Sequence, residues 1–206
     1  MKNNISKKRI AIILNIFIVI FEIIGLLLTY KANSRIAIEY YTEDSNILGL
    51  ISSLLLLIFL LGNKKIPKWL KLFKYSTTIC LTVTFFVVIF ILAPMYNFDY
   101  AYLLFHNELL YHHFLCPILS TVTFICFDSL GSISSKETFV GLILTFIYAI
   151  IMTVLNILRI IEGPYPFLMV YKQSILMSLI WLIVILGLAY FIAYILKKLH
   201  TRFNNI

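Results

Sequence analysis

Residues 10–28 read IAIILNIFIVIFEIIGLLL, a run in which Asn15 and Glu22 are the only polar side chains. An apolar run of about 20 residues is long enough, as a helix, to cross the roughly 30 Å hydrocarbon core of a bilayer. The run is continuous and does not alternate with polar residues, which favours a helix over a strand of a membrane barrel. The segment therefore predicts a transmembrane helix.

The basic residues before this run, Lys7, Lys8 and Arg9, give it the appearance of a secretory signal peptide. Two features argue against that interpretation. The apolar run from Ile10 to Leu28 is longer than the apolar region of a signal peptide, and no small-residue cleavage site follows it. We interpret the segment as a first membrane span that is retained in the protein.

The rest of the 206-residue chain has the same character, since 62% of all residues are hydrophobic and 13% are charged. Soluble domains carry about 25% charged residues. The apolar runs predict spans near residues 9–30, 46–62, 74–96, 108–130, 137–160 and 174–196. The connections between them are too short to hold a soluble domain. We therefore predict an all-α fold, in which residues 1–206 form a single bundle of six transmembrane helices in a lipid bilayer.

Basic residues are distributed unevenly between the two sides of the predicted bundle. Thirteen lie on one side and four on the other; the thirteen are Lys2, Lys7, Lys8, Arg9, Lys64, Lys65, Lys68, Lys71, Lys74, Lys136, Lys197, Lys198 and Arg202. The positive-inside rule then predicts that both termini are cytoplasmic. The net charge of +8 follows from this topology and from contact with anionic lipid headgroups, and it does not indicate nucleic-acid binding. The frequent Lys, Ile and Asn residues indicate an AT-rich, bacterial genome and thus a multi-pass protein of a bacterial plasma membrane.

Polar side chains recur at helical spacing within the predicted spans. Asn15 and Glu22 share one face of the first span, and Glu108, His112 and Cys116 share one face of the fourth. Polar faces turn towards the inside of a bundle, because hydrocarbon cannot satisfy their hydrogen bonds. An unpaired charge costs several kcal/mol inside a membrane, so Glu22 needs a partner or must be neutral.

The first, third and fifth connections are expected on the extracytoplasmic side, and the polar residues other than lysine that could carry chemistry are concentrated near them. They are Thr42, Glu43, Asp44, His106, Glu108, His112, His113 and the segment RIIEGPYPFL at residues 159–168. This concentration at one face of the bundle indicates a functional site there.

A metal is one option for such a site, with His112, Glu108 and either Glu43 or Asp44 as ligands. However, the sequence has no HExxH motif and no Cys/His cluster. The three cysteines lie inside apolar runs without the spacing of a metal site or of a disulfide framework. We predict neither a metal nor a cofactor.

A threonine nucleophile activated by histidine is a second option. A hydroxyl is a weak nucleophile at its own pKa and needs a base within hydrogen-bond distance. Thr42 and His113 meet these requirements if the second and fourth spans are neighbours. A purely structural interpretation of the same segment is also available: Asp44 or Ser45 caps the second span, where acidic residues also suit the helix dipole.

Three segments together resemble a known group of proteins: YYTEDSNIL at residues 40–48, LLYHHFLCPIL at 109–119 and GPYPFLMV at 163–170. The resemblance is to bacterial six-helix membrane proteins of uncharacterised function. That group is in turn distantly similar to the eukaryotic androgen-induced and androgen-dependent membrane proteins. Those are hydrolases of fatty acid esters of hydroxy fatty acids, and they use an intramembrane threonine and histidine.

The resemblance implies that Thr42 is a nucleophile and that His113, the histidine of a His-x-x-x-Pro motif ending at Pro117, is its base. It also implies a lipid or acyl ester as substrate. Candidate supporting residues are His112, Glu108, Asn46, Tyr148, Arg159 and Tyr165. The sequence leaves open which of the two adjacent histidines faces the interior of the bundle.

Two further functions fit the same sequence. A small-solute transporter or binding protein would use the inward-facing Glu22 and Arg159, and it would carry polar residues at midplane depth. A membrane scaffold without catalytic activity is equally compatible with six helices joined by short loops.

Overall fold

The structure, a computed structural model, describes residues 2–204 and the side chains of residues 5–204. Met1, Asn205, Ile206 and the side chains of Lys2, Asn3 and Asn4 therefore lie outside it. The helices are α1 Lys2–Asn33, α2 Tyr41–Leu61, α3 Lys68–Met95, α4 Tyr100–Phe105, α5 Asn107–Cys126, α6 Ser135–Ile157 and α7 Ile175–Asn204. All except the short α4 are long and apolar enough to cross a membrane, and the described residues contain no strand. The prediction of an all-α protein with six membrane-spanning helices is confirmed.

The third helix is the centre of the bundle. It packs against α2, α5, α6 and α7, while α1 packs against α2 and α5. Tyr75 of α3 is fully buried, stacks on Phe124 with ring centroids 5.4 Å apart, and donates a 2.6 Å hydrogen bond to the carbonyl oxygen of Ala193 in α7. We call the end of the bundle with residues 34–40, 96–106 and 158–174 the distal end, and the end with residues 62–67 and 127–134 the proximal end.

The inward polar faces expected for α1 and α5 are present. Asn15, Glu22 and Thr29 of α1 are buried, as are His112 and Cys116 of α5. Glu108 is only partly buried, because it lies in the first turn of α5.

The start of α2 differs from the prediction. The helix begins at Tyr41 rather than near residue 46, so Thr42, Asp44 and Ser45 are helical residues. The prediction that Asp44 or Ser45 caps α2 is wrong, because the N-cap residue is Tyr40 and no side chain caps the helix. Tyrosine hydroxyls from other parts of the chain accept hydrogen bonds from the first backbone N–H groups instead, as described below.

The start of α3 also lies earlier than predicted, and this changes the interpretation of one lysine. Lys74 was expected among the orientation charges of the second connection, but it is the seventh residue of α3 and is fully buried. Lys71 and Lys68, earlier in the same helix, both pair with Glu137 near the surface, at 2.9 Å and 3.7 Å.

The loop at the proximal end leads into α6, whose first residues are polar. Ser134 and Glu137 form a capping box, in which the Ser134 hydroxyl accepts from the Glu137 N–H and the Glu137 carboxylate accepts from the Ser134 N–H. Such reciprocal bonds satisfy two donors that a helix start leaves free. They explain why α6 begins at residue 135.

Two π-helical turns interrupt the long helices, at Val88–Leu92 in α3 and Leu110–Leu115 in α5. Successive residues of an α-helix point about 100° apart, and a π-helical turn, which holds more residues, reduces this angle. In the wider turn of α5 both His112 and His113 are buried, with exposures of 0% and 7%. Both histidines therefore face the interior, and π-helical turns are frequent at functional sites.

Candidate functional site

A cavity of about 140 Å³ lies between α2, α3, α6, α7 and the loop at residues 165–170. Its walls are mostly apolar; among the residues that form them are Val83, Val87, Ala149, Phe167, Trp181 and Ile185. Leu179 and Leu182 of α7 also line it and are 52% and 41% exposed, so the cavity reaches the outside of the bundle beside α7. Pockets of this kind, apolar with a few polar groups, are typical of small-molecule sites.

The polar groups of the cavity are hydroxyls. They belong to Tyr41, Thr42, Thr84, Thr145, Tyr148, Thr153, Tyr165 and Ser178. Tyr41 and Thr145 are joined through their hydroxyls at 2.7 Å. No charged side chain lines the cavity among the residues that the structure describes. The cavity thus suits a ligand that is apolar over most of its length and carries a neutral polar group.

The first turn of α2 presents its backbone to this polar end. The N–H of Tyr41 donates to the hydroxyl of Tyr148 at 3.1 Å, and the N–H of Thr42 donates to the hydroxyl of Tyr165 at 3.3 Å. The Tyr148 hydroxyl in turn donates to the carbonyl oxygen of Glu39 at 2.8 Å. The start of a helix carries partial positive charge, and its N–H groups stabilise negative charge that develops on a ligand oxygen.

The Thr42 hydroxyl lies at this helix start and next to Tyr165. Thr42 is 8% exposed, and its Oγ1 lies 3.3 Å from the Tyr165 hydroxyl. Burial raises the pKa of Tyr165 to about 12, so the phenol stays protonated at neutral pH. Tyr165 can therefore donate a hydrogen bond to a substrate oxygen, but it cannot act as the base for Thr42.

The loop that carries Tyr165 is held by close packing. The ring of Tyr165 stacks on that of Phe167 with centroids 5.1 Å apart and contacts Tyr40 edge-on at 5.8 Å. Gly163 touches the backbone of Leu168, because a Cβ at position 163 would lie 2.5 Å from the Leu168 carbonyl carbon. The glycine thus allows the loop to fold back over the start of α2.

His113 lies on the other side of α2 and does not line the cavity. Its Nδ1 is 2.7 Å from the carbonyl oxygen of Leu103 in α4. Since a carbonyl oxygen only accepts hydrogen bonds, Nδ1 carries the proton and Nε2 of the neutral ring has a free lone pair. No hydrogen bond joins His113 to Thr42 among the described residues, although the Nδ2 of Asn46 donates both to the carbonyl oxygen of Thr42 at 2.7 Å and to that of His112 at 3.3 Å.

The remaining predicted residues are dispersed. His112 faces Glu43, with Nδ1 3.4 Å from Oε1. Arg159 is exposed at the distal end, where its guanidinium lies 4.6 Å from the centre of the Tyr171 ring. The prediction that Arg159 faces the interior of the bundle, on which the transporter hypothesis depends, is therefore wrong, whereas Glu22 is buried as expected. No group of three or more His, Cys, Asp or Glu side chains suitable for a metal occurs within residues 5–204.

Thr84 and Thr145 line the cavity but were not predicted as site residues. Thr145 has a signal that would have revealed it, because it lies seven residues after Thr138 and three before Tyr148, on one face of α6. Thr84 has no such signal, because most helices of this chain contain threonines. Lys74, which is buried outside the cavity, precedes Thr78 and Thr82 by four and eight residues and so continues the polar stripe of α3.

No protein-family model matches this chain, and no curated protein or solved structure matches it either.

Proposed function

We propose that this membrane protein hydrolyses an acyl ester of a lipid, with the acyl chain in the cavity and Thr42 as the nucleophile. The observation that carries the proposal is the position of the Thr42 hydroxyl at the polar end of an otherwise apolar cavity. The resemblance to the threonine hydrolases supports the same assignment. By the distribution of basic residues, the site belongs to the outer leaflet of a bacterial plasma membrane.

The size of the cavity supports an acyl chain as ligand. A cavity needs at least about 10–15 Å³ to hold one water molecule, whose share of liquid volume is about 30 Å³, so the cavity of about 140 Å³ holds several groups of that size. A methylene group is similar in size to a water molecule. The first several carbons of an acyl chain therefore fit before the chain emerges beside α7 into the surrounding lipid.

The reaction would proceed through an acyl-threonine. Thr42 Oγ1 attacks the ester carbonyl carbon, and its proton passes to Nε2 of His113. The Tyr165 hydroxyl donates to the oxygen that becomes negatively charged, next to the positive end of the α2 dipole. His113 then protonates the departing alcohol, and a water molecule, deprotonated by the same imidazole, releases the acid from Thr42. Because no hydrogen bond joins Thr42 to His113 in this structure, the proton transfers need a bridging water or a rotation of the imidazole.

The Thr42 assignment predicts covalent labelling by an alkyl fluorophosphonate. Such a probe forms a bond between its phosphorus and an activated hydroxyl and loses fluoride. We expect a phosphonate adduct on the peptide that contains Thr42, a complete loss of the adduct in Thr42→Ala and a strong loss in His113→Ala. Intact-protein and peptide mass spectrometry measure the adduct directly.

Thr123→Ala is the matched control for this experiment. Thr123 is also fully buried, lies in α5 outside the cavity, and has no hydrogen-bond partner for its hydroxyl. We expect this variant to be labelled like the parent. Labelling of Thr42→Ala at the parent level would reject the nucleophile, and with it the proposed hydrolysis.

The proposed position of the acyl chain makes a separate prediction. Ala149→Phe adds a phenyl ring to the cavity wall, so labelling by a fluorophosphonate with a long alkyl chain should fall strongly while a methyl-sized analogue still labels Thr42. Ile150→Phe places the same ring on the neighbouring residue, which is 60% exposed, and should change neither. Equal losses with the long and the short probe in Ala149→Phe would show that the chain binds elsewhere.

A further inference from the structure

A column of buried ionisable side chains runs through the bundle on the side of α1, away from the cavity. From the distal to the proximal end it contains Glu43, His112, Glu22, Lys74 and Asp128. Their exposed fractions are 9%, 0%, 0%, 0% and 2%. Ionisable residues inside membrane proteins are costly, and those that are kept often form the path of an ion or proton.

In the distal half, two glycines make room for two of these groups. A Cβ on Gly25 would lie 2.6 Å from the Cδ2 of His112, and a Cβ on Gly49 would lie 3.1 Å from the Oε1 of Glu22. The imidazole therefore rests on the backbone of α1 one turn from Glu22, and the Glu22 carboxyl rests on the backbone of α2. Towards the distal end, Nδ1 of His112 lies 3.4 Å from Oε1 of Glu43.

In the proximal half, Lys74 stands between two carboxyl groups. Its ammonium donates to the Ser53 hydroxyl at 2.8 Å and is near enough to both Glu22 and Asp128 for their charges to interact, but it forms an ion pair with neither. Asp128 accepts a 3.0 Å hydrogen bond from the Nδ2 of Asn15. Burial raises the pKa of Asp128, which lies in the loop at the proximal end, and the charge of Lys74 opposes this rise.

Most side-chain nitrogen and oxygen atoms of these five residues lack a nitrogen or oxygen atom as hydrogen-bond partner. Among the described residues, the unpartnered buried atoms include both ring nitrogens of His112, Oε2 of Glu43 and Oδ2 of Asp128, and the buried oxygens of Glu22 are approached only by the Cys116 thiol. A buried polar group without a partner costs free energy, and a buried carboxylate without donors lowers this cost by holding a proton. Structural hydrogen bonding therefore does not account for these groups.

We infer that this column is a proton relay between the two faces of the membrane, with Glu22 as its central proton-carrying group. This function is separate from the proposed hydrolysis, because none of these residues lines the cavity that holds Thr42. The steps between His112, Glu22 and Asp128 are not direct hydrogen bonds, so each needs a water molecule or a side-chain rotation. Glu43 and Asp128 are the two points where protons enter and leave.

The other groups around the relay are few. Glu22 is faced by Glu43 from α2, by Lys74 from α3, and by the Cys116 thiol from α5, while His112 packs on α1 one turn away, at Gly25. Asp128 is faced by Lys74 and by His200 of α7, whose Nδ1 and Nε2 lie 2.7 Å and 3.1 Å from the carbonyl oxygens of Phe124 and Gly131.

Proton flux in vesicles tests the relay. The full chain is reconstituted into liposomes with a pH-sensitive dye inside, and a potassium gradient with valinomycin drives protons across the membrane. We expect a flux above that of protein-free vesicles for the parent, and a loss to the protein-free level for Glu22→Gln. The control Glu162→Gln makes the same chemical change at a side chain that is 81% exposed, and it should keep the parent flux. A parent flux equal to that of protein-free vesicles, or an unchanged flux in Glu22→Gln, overturns the inference.

A second measurement uses only the parent protein, so its result does not depend on whether the Glu22→Gln variant folds. Dicyclohexylcarbodiimide reacts with protonated carboxyl groups in apolar surroundings: the carboxyl oxygen bonds to the central carbon, and the proton moves to a nitrogen. We expect an adduct at Glu22, less of it as pH rises, and inhibition of flux in step with labelling. No adduct at Glu22 at any pH contradicts the inference. Fluorophosphonate labelling of Thr42 should stay unchanged in Glu22→Gln, which keeps the two functions experimentally distinct.

Discussion

Gly163→Ala is expected to abolish fluorophosphonate labelling of Thr42, although residue 163 takes no part in the proposed chemistry. A Cβ at this position would lie 2.5 Å from both the carbonyl carbon and oxygen of Leu168 and 2.8 Å from the nitrogen of Met169. These are backbone atoms, which cannot rotate away as a side chain can. The loop must therefore shift, and Tyr165, which lies between the two contact points, moves away from Thr42.

The cost of this change is expected to be about 3 kcal/mol, the upper end of the usual range for overpacking a buried site. Gly187→Ala is the matched control, because a Cβ in the middle of α7 meets no atom within 4 Å. It should leave labelling intact and stabilise the helix by about 1 kcal/mol. Apparent unfolding temperatures in detergent and the amount of Thr42 adduct measure both effects. Parent-level labelling in Gly163→Ala would mean that the position of Tyr165 is irrelevant to the activity of Thr42.

Gly25→Ala is expected to have the second large effect, on the contact between α1 and α5. The new methyl group would lie 2.6 Å from the Cδ2 of His112 and 3.0 Å from the Cβ of Tyr111. The imidazole must leave its position, or the two helices must separate. We expect a loss of stability of about 2 kcal/mol, as is typical of overpacking, and a large decrease of proton flux because the His112 step is displaced.

A double-mutant cycle separates this clash from a general effect on α1. In the His112→Ala background the imidazole is gone, so Gly25→Ala should cost much less than in the parent, with a remainder from Tyr111. Residues in contact show such non-additivity, whereas independent residues do not. Equal costs of Gly25→Ala in the two backgrounds, from apparent unfolding temperatures, would refute the packing of His112 on Gly25.

The fold was predictable from the sequence because the membrane imposes a simple rule. Twenty apolar residues in succession have few structures available to them in lipid, so the six spans and the inward faces of Asn15 and Glu22 followed directly, whereas the choice between His112 and His113 stayed open. The helix ends were less predictable, since polar residues near an interface fit either a helix or a loop. Lys74 shows the difficulty: its neighbours Lys68 and Lys71 lie near the surface, but six residues of additional helix place it in the interior.

The candidate site was predictable only in part, because it depends on which helices are neighbours. The sequence indicates Thr42, His113 and Tyr165 at one end of the bundle, and the structure brings Thr42 and Tyr165 to 3.3 Å. It leaves His113 bonded to Leu103 instead. The turn that buries both histidines is π-helical and so contains one residue more than a turn of α-helix. No residue pattern in the sequence predicts this additional residue.

The apolar parts of the helices differ in length, so bilayer thickness affects the helices differently. At about 1.5 Å per residue, the apolar residues 175–196 of α7 extend about 33 Å, whereas the apolar residues 47–61 of α2 extend about 22 Å. A bilayer thinner than about 30 Å is therefore expected to tilt α7 more than α2. The proximal half of α7 is held to α6, where Phe139 meets Tyr190 and Lys197 bonds Ser135, so we expect the tilt to move mainly the distal half. That half is the outer wall of the cavity, so membranes of different thickness are expected to open the cavity to lipid to different extents.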